Sequence, residues 1–204
     1  MRLRIIYEKR RGACFVPHTA LTTVFGRAIR RAGLRPLRTD GFSPRAKVSF
    51  GPELPTGVIA LAEPADIWIE SAPVPESVEA LNGQMPDGFR IVSGAALPDD
   101  APPISRTCRA ARYRVWVMPP AHDAEELAFH LRQQYGFFLM NAVVERNSNG
   151  FLGGAPRIDF TVAEPAQNGI GVWVRAMIAV GAVQGWQDLR IVRLELQGAQ
   201  PRRK

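Results

Sequence analysis

An amphipathic segment at residues 19–32 places the strongest constraint on the fold of this chain. Its apolar residues recur at three- and four-residue spacing, which lays them on one stripe of a helix: Leu21, Val24, Phe25, Ala28, Ile29 and Ala32. Thr19 is a candidate N-cap, and Gly33 can adopt the left-handed conformation that ends a helix. Such a stripe has to be buried. The segment therefore predicts a helix that packs against a sheet.

The opposite side of this helix is cationic. Arg27, Arg30 and Arg31 fall together there, because residues three and four apart are neighbours on a helix surface. Further cations follow in the loop after the helix, at Arg35, Arg38, Arg45 and Lys47. The same loop contains a Gly-Phe-Ser-Pro turn at residues 41–44, which carries one aromatic side chain, Phe42.

Charge is distributed unevenly along the 204 residues. Residues 1–50 contain twelve Lys and Arg against two acids, residues 51–105 contain one Arg against nine acids, and the remainder contains thirteen against eight. Such segregation favours a directed positive surface, whose commonest partner is a polyanion such as RNA. The alternative is that oppositely charged faces attract each other within the fold. Arg30 and Arg31 also complement the dipole at the helix C-terminus.

The order of elements predicts an α+β fold. Strands are expected at residues 2–8, 47–50, 56–61, 65–70 and 89–96, an extended piece at 13–16, and a second helix at 75–82. This is the β-α-β-β-α-β order of ferredoxin-like folds. The Pro- and Asp-rich residues 98–103 indicate a linker. We expect a first domain at residues 1–98, a linker at 99–108, a second domain at 109–198 and a basic tail at 199–204.

The second domain is predicted to repeat the ferredoxin-like unit in tandem. Its expected strands cover residues 113–118, 137–145, 157–163, 171–178 and 189–196, with a hairpin loop at 147–154. A helix is expected to open at Asp123, with Glu126 in a capping-box position and Leu127, Leu131 and Tyr135 on its inner face.

Several kinds of chemistry lack support in the sequence. The two cysteines, Cys14 and Cys108, are isolated. The three histidines are scattered along the chain, at His18, His122 and His130. Neither a metal site nor a cofactor is therefore indicated. Nucleotide-cradling glycine loops and nucleophile elbows are also missing from the sequence. There is no apolar run of about 18 residues and no signal-peptide core at the N-terminus, so we expect a cytoplasmic location without membrane contact.

His18 is the one ionisable side chain whose position invites a mechanistic hypothesis. It lies at the start of the basic helix, and it could act as a general base or acid in RNA cleavage while Lys47 or Arg45 stabilises the developing charge. The alternative is a hydrogen-bonded structural histidine. Phe42 likewise has two interpretations, because it could stack on a base or fold back onto the core.

Three sequence runs together resemble a known family. They are Arg-Leu-Arg at residues 2–4 leading to Phe-Val-Pro-His at 15–18, the helix at 24–34, and Gly-Phe-Ser-Pro-Arg-Ala-Lys-Val-Ser-Phe-Gly-Pro-Glu-Leu-Pro-Thr-Gly-Val at 41–58. They are similar to the uncharacterised radical-SAM-linked domain family, found beside or fused to B12-binding-type radical SAM proteins. The positions that match its pattern are His18, Arg27, Arg31, Gly41, Phe42, Pro44 and Lys47. The chain departs from it at residues 19–20, where the family has Leu-Asp, and at residues 45–46, where it often has His-Pro.

The resemblance implies a radical SAM enzyme as partner. The chain cannot be that enzyme, because it lacks the three-cysteine cluster motif. We therefore expect a non-catalytic accessory or substrate-binding protein that binds RNA or another phosphate-rich ligand through a set of six residues: Arg27, Arg30, Arg31, Phe42, Arg45 and Lys47. Charges in the distal half or tail are expected to contribute less, among them Arg190, Arg193 and Arg203. The alternative function is a metal-independent endoribonuclease, by architectural similarity to CRISPR repeat-processing enzymes.

Overall fold

The computed structural model describes residues 1–118, 123–145 and 155–198. In chain order the elements are β1 (Arg2–Lys9), α1 (His18–Arg31), β2 (Val48–Phe50), β3 (Ile59–Trp68), α2 (Val74–Asn82), β4 (Phe89–Leu97), α3 (Ile104–Thr107), β5 (Ala110–Val117), α4 (Ala124–Tyr135), β6 (Leu139–Glu145), β7 (Arg157–Ala163), α5 (Ile170–Ala179) and β8 (Leu189–Gln197). In this described part of the chain, no helix is both long and apolar enough to cross a bilayer.

All eight strands belong to one mixed sheet. Its order is β4-β1-β3-β8-β5-β7-β6, and β2 pairs with β3 beside this path. The first half thus has the order β4-β1-β3-β2 and the second half β8-β5-β7-β6, each built from a β-α-β-β-α-β succession. The predicted α+β class is confirmed. The halves meet where β3 and β8 pair in parallel, with Ile59 opposite Val192 and Ala60 opposite Arg193.

The helices bury their apolar stripes against this sheet. In the first half, Leu3, Ile5 and Tyr7 of β1 lie in one cluster with the stripe of α1, which buries Leu21, Phe25, Ala28 and Ile29. Tyr7 and Phe25 meet edge to face, with ring centroids 5.0 Å apart. The second half has its own cluster around Tyr113, Phe160 and Trp173. Each helix is therefore held by burial of its apolar face, as the periodicity of residues 19–32 predicts.

The start of α1 differs from the prediction. The helix begins at His18, and its N-cap is Pro17, which makes no side-chain cap hydrogen bond, so the assignment of Thr19 as N-cap is wrong. Residues 13–16, predicted to be extended, belong largely to a 3-10 helix at Arg11–Phe15. This turn directs the chain from β1 into α1, and it buries Ala13 and Cys14.

β3 is one long strand, although two were predicted on either side of Pro64. The carbonyl of Pro64 accepts a hydrogen bond from Gly51 N at 3.2 Å, so its nitrogen also faces the β2 side of the strand. On that side the pairing changes from β8, at residues 59–60, to β2, at residues 65–67. Pro64 lies between the segment of β3 that pairs with β8 and the segment that pairs with β2. Proline is tolerated there because neither partner strand needs a hydrogen bond from its nitrogen.

In the second half, the predicted strand at residues 171–178 is wrong, because α5 occupies this segment. Ile170, Trp173, Val174 and Met177 recur at helical spacing and are buried, which outweighs the strand preference of Val, Ile and Trp. The Asp123 cap of α4 is confirmed, since its side chain accepts a hydrogen bond from Glu125 N at 2.9 Å. The predicted hairpin loop at 147–154 and the basic tail at 199–204 lie outside the described residues.

The predicted linker is attached to the first half by hydrogen bonds from a buried, ion-paired arginine of β1. Asp66 of β3 is fully buried between Arg2 and Arg4 of β1, with Arg2 NH2 at 2.5 Å and Arg4 Nε at 2.7 Å from its two carboxylate oxygens. Arg2 also donates to the carbonyl oxygens of Ala101 and Pro102. α3 follows directly, with Ile104 buried. The segment is therefore attached to β1, chiefly through Arg2 and more weakly through Arg4, which donates to Pro102 O at 3.4 Å.

Candidate nucleic-acid interface

The C-terminal half of α1 presents three arginines to solvent. Arg27, Arg30 and Arg31 are all exposed, whereas Ala28 and Ile29 beside them are fully buried. Arg30 and Arg31 also lie in the last turn of the helix, where a positive charge is favoured by the macrodipole. The structure therefore confirms that the predicted cationic side of the helix faces water.

The 37–47 loop, comprising residues 37 to 47, is a hairpin-like extension with its own hydrogen bonds. Thr39 N donates to Arg45 O at 2.8 Å, and Lys47 N donates to Leu37 O at 2.8 Å. Arg45 N in turn donates to the Thr39 hydroxyl at 3.1 Å. At its base, Leu37 N donates to Trp68 O at 2.8 Å, which joins the loop to β3. The loop is thus a defined structure that holds its cations at fixed positions.

Gly26 allows this loop to lie directly against α1. A Cβ atom placed on Gly26 would be 3.2 Å from Cβ of Ala46, closer than ordinary van der Waals contact. Arg30 follows one turn later on the same side of the helix, and its NH1 would be 3.8 Å from that added atom. The contact joins the helix arginines and the loop cations into one surface. We call it the cationic surface, formed by Arg27, Arg30, Arg31, Arg38, Arg45 and Lys47, all exposed.

Two aromatic side chains accompany the cationic surface. Phe42 stands at the tip of the 37–47 loop with 110% relative exposure, so it does not fold back onto the core. Trp68 lies at the base of the loop, where Lys47 Nζ is 5.0 Å and the Arg2 guanidinium carbon 5.2 Å from its ring centroid. The structure therefore brings together the predicted phosphate-binding residues and leaves the ring of Phe42 available for stacking.

Some of the basic residues neutralise acids inside the fold. Arg2, Arg4 and Lys9 are buried, and so are Glu63 and Asp66. Arg193, which the sequence analysis groups with the distal charges, is 0% exposed and forms a bidentate ion pair with Glu63. It lies on β8 at the junction between the halves. Internal attraction and an external cationic surface thus coexist.

His18 faces this buried cluster and not the cationic surface. It lines a cavity of about 10 Å³ together with Tyr7, Lys9, Glu63 and Arg193. Its ring meets Phe50 edge to face at 5.7 Å. Burial lowers the pKa of His18 below its usual value, because desolvation disfavours the imidazolium. Desolvation also lowers the pKa of Lys9, whose ammonium donates to Val16 O at 2.7 Å.

The position of His18 bears directly on the nuclease hypothesis. A cavity of about 10 Å³ admits a single water molecule at most and is far too small for a nucleotide. Lys47 precedes β2, whereas the His18 ring packs on Phe50 at the end of that strand, roughly 10 Å farther along the chain. The structure therefore does not bring His18 together with Lys47 or Arg45.

The buried cluster is the part of the site region that sequence reasoning missed. Glu63 and Arg193 are 130 residues apart, so no local pattern connects them. The strand sequences do not single them out either, because Glu63 shares β3 with Asp66, and Arg193 shares β8 with Arg190 and Glu195. In the described residues, no group of three or more His, Cys, Asp or Glu is placed to hold a metal ion. His122 and Arg203 lie outside these residues.

The residues that the structure describes form an α+β protein with a single mixed sheet and an exposed cationic surface. The chain belongs to a bacterial family described as "Uncharacterized protein conserved in bacteria (DUF2344)", whose model matches residues 2–147. The match includes α1, the 37–47 loop and Glu63, but it ends before Arg193. A comparison with curated proteins gives no significant match.

Among solved structures, an unknown protein from Galdieria sulphuraria is 14% identical and covers 93% of this chain and 94% of its own, with a TM-score of 0.29. A putative glycine cleavage system transcriptional repressor is 12% identical, with coverage of 94% and 97% and a TM-score of 0.26. The first two RRM domains of yeast poly(U) binding protein are 14% identical, with coverage of 95% and 98% and a TM-score of 0.22. These TM-scores are too low to support a common topology or function.

Proposed function

We propose that this protein is a non-catalytic accessory of a radical SAM enzyme and that it binds RNA on the cationic surface. The observation that supports the RNA-binding part is the contact of Gly26 with Ala46, which places the arginines of α1 beside the cations of the 37–47 loop. Arg27, Arg30 and Arg31 are exposed on the helix side of this contact.

The charge of this surface is available to a ligand. Within the described residues, none of its six cations forms an ion pair with an acid, whereas the buried arginines at positions 2, 4 and 193 all do. Lys and Arg that neutralise phosphates release condensed counterions, which supplies binding free energy without reading sequence. A phosphate backbone is a suitable ligand for such a surface because it is a continuous line of charge.

Phe42 favours a single-stranded RNA over a duplex. Its ring is fully exposed at the tip of the 37–47 loop, between Arg38 and Arg45 in the chain. Bases in a single strand can stack on an exposed aromatic ring, and such stacking contributes about 1–3 kcal/mol per base. Backbone contacts from the cations and one stacking contact from Phe42 are the expected division of roles.

The radical SAM partner is proposed from the resemblance of residues 15–58 to the radical-SAM-linked domain family. Several of the residues that carry it lie on the proposed RNA-binding surface: Arg27, Arg31, Phe42 and Lys47. An accessory that holds RNA for a separate enzyme needs binding residues but no catalytic group, which suits a His18 ring that faces the buried cluster and not the cationic surface. Cytoplasmic location is part of the same proposal.

The RNA-binding proposal is tested by fluorescence anisotropy with a labelled single-stranded RNA over a salt series. Replacing Arg27, Arg31 and Lys47 with Gln removes three exposed charges. Each phosphate contact on a single strand contributes about 0.7 to the slope of log affinity against log salt, so three lost contacts flatten the slope by about 2. Phe42→Ala should weaken binding without changing this slope, because stacking releases no counterion.

The matched control removes three exposed arginines that lie elsewhere, by Gln substitution at Arg106, Arg132 and Arg175. These variants should bind RNA nearly as the wild type does. If they weaken binding and flatten the salt dependence as much as the first set, the charge acts as a diffuse field, and the proposed surface is wrong.

The accessory role is tested by co-purification from the source cell lysate, in which a radical SAM enzyme should be retained with the tagged chain. The purified chain should leave RNA intact without added metal. Cleavage that is abolished by His18→Ala would contradict the non-catalytic role and support the endoribonuclease alternative.

A further inference from the structure

A second, much larger cavity lies at the junction of the two halves, away from the buried cluster around His18. Its volume is about 600 Å³, within the range of about 300–1,000 Å³ that small-molecule sites occupy. The first half contributes Phe15 and residues 56–59, and the second half contributes Trp116 and residues 186–187 and 189–192. The cavity therefore adjoins the parallel pairing of β3 with β8, where Ile59 is opposite Val192.

The walls of this junction pocket are aromatic and aliphatic. Trp116, Trp186 and Phe15 supply three ring systems, and Val58, Leu189 and Ile191 supply branched aliphatic surface. Phe15 is 69% exposed, which is unusual for a large apolar side chain beside a cavity. Flat aromatic molecules gain from such walls, because aromatic rings stack in offset or edge-to-face arrangements with one another.

One wall of the pocket is held in place by an ion pair. The Arg114 guanidinium carbon is 5.8 Å from the ring centroid of Trp116. Asp159 accepts two hydrogen bonds from Arg114, at 2.8 Å and 2.6 Å, which fixes the guanidinium over the indole. Trp116 itself is only 8% exposed. A fixed ring is suited to binding because little side-chain freedom is lost when a ligand arrives.

The polar groups of the pocket favour an anion. Arg190 is the single charged residue among the described residues that line it, and no acid lines it there. Arg190 NH1 donates to the carbonyl oxygens of Gln187, at 2.9 Å, and Leu189, at 3.1 Å, which holds the side chain at the pocket. A guanidinium carries five N–H donors, so others remain for a ligand. Thr56 and Gln187 add neutral hydrogen-bonding groups.

We infer that the junction pocket binds a small aromatic molecule that carries an acidic group, with its rings against the aromatic walls and its anion at Arg190. This site is separate from the cationic surface, and it does not depend on the RNA-binding proposal.

The test uses two fluorescent probes with the full chain. Anilinonaphthalene sulfonate is aromatic and anionic, and phenylnaphthylamine is its neutral counterpart. The sulfonate should bind saturably with one site per chain and quench tryptophan emission. Arg190→Gln should weaken sulfonate binding about fivefold, the scale of one exposed charge contact, and should leave the neutral probe unaffected. The matched control, Arg132→Gln, should change neither.

Thr56→Phe supplies a second variant that does not remove charge. Thr56 is exposed at the pocket wall, so a phenyl ring can enter the cavity without disturbing the core, and both probes should lose affinity while the circular dichroism stays unchanged. The triple Gln variant of the cationic surface should bind the sulfonate as the wild type does. Probe binding that is insensitive to Thr56→Phe overturns the pocket assignment, and equal weakening of both probes by Arg190→Gln overturns the assignment of an anionic ligand.

Discussion

Replacing Glu63 with Ala should produce one of the largest losses of stability available in this chain. Arg193 is 0% exposed and Glu63 is 4% exposed. The guanidinium donates to both carboxylate oxygens, from Nε at 2.7 Å and from NH2. It also donates to Pro52 O at 2.9 Å and, more weakly, to Glu53 O at 3.3 Å. Glu63→Ala leaves these two carbonyls as partners but removes the carboxylate that neutralises the buried guanidinium.

The expected magnitude follows from the burial of both partners. Removing one member of a buried ion pair costs about 3–5 kcal/mol, because the other charge stays in the low-dielectric interior without compensation. At about 2–4 °C per kcal/mol for a chain of this size, the melting temperature should fall by about 6–20 °C. Urea denaturation followed by circular dichroism measures the free energy directly.

Two further variants, a matched control and a double variant, test the reasoning behind this prediction. Glu70→Ala is the matched control, because Glu70 pairs with Arg35 at 3.5 Å on the surface, where such pairs contribute about 0–1 kcal/mol. The double variant Glu63→Leu with Arg193→Met should be more stable than Glu63→Ala, since no charge is then left buried. If Glu63→Ala costs no more than Glu70→Ala, the guanidinium is reached by water and the reasoning from burial is refuted.

Three other predictions concern the same half of the chain or its thiols. Because burial lowers the pKa of His18, the stability it contributes is present above pH 6.5 and is lost as the pH falls through the folded-state value, so wild type should lose stability in acid more steeply than His18→Gln in urea titrations. Gly88→Ala should cost more than about 2 kcal/mol, because φ is +84° and the added Cβ would clash with a backbone carbonyl, whereas Gly12→Ala meets open space and should be nearly neutral in melting experiments. Burial raises the pKa of Cys108 to about 11 and also raises that of Cys14, so both thiols should react slowly with a thiol reagent at pH 8 until urea is added.

The sequence predicts secondary structure best where apolar residues recur at a regular spacing and are also buried in the fold. The stripe of α1 is visible because Leu21, Phe25 and Ala28 recur at spacings of four and three residues, whereas a strand would turn Phe25 and Ala28 to opposite faces. The segment of α5 is predicted as a strand because Val172, Trp173, Val174 and Ile178 also suit a strand, and only the tertiary cluster favours the helix. Pro64 predicts a break in β3 for a similar reason, because the change of partner strand that accommodates it is a property of the whole sheet.

The same limit applies to the candidate site, where local spacing predicts one part and tertiary contacts determine the rest. The exposed arginines of α1 follow from helical spacing, but their contact with the 37–47 loop depends on Gly26 lying opposite Ala46, which no spacing predicts. The buried roles of Arg2, Arg4 and Arg193 could not be predicted, because a charge count cannot distinguish an exposed cation from one whose acid lies far away in the sequence. The Arg193 pair exists only when both halves are folded, whereas Arg2 and Arg4 meet Asp66 within the first half.

The parallel pairing of β3 with β8 sets the order in which the molecule can be completed during synthesis. Glu63 and Arg193 are separated by 130 residues, which a ribosome adds in about 6–26 s at about 5–20 residues per second. Until then Glu63 has no guanidinium partner, and the side of β3 at residues 59–60 has no neighbouring strand. A chain that stops before β8 would present that side as an open edge, ready to pair with another copy. Folding can therefore be completed only after β8 has been synthesised and has paired with β3.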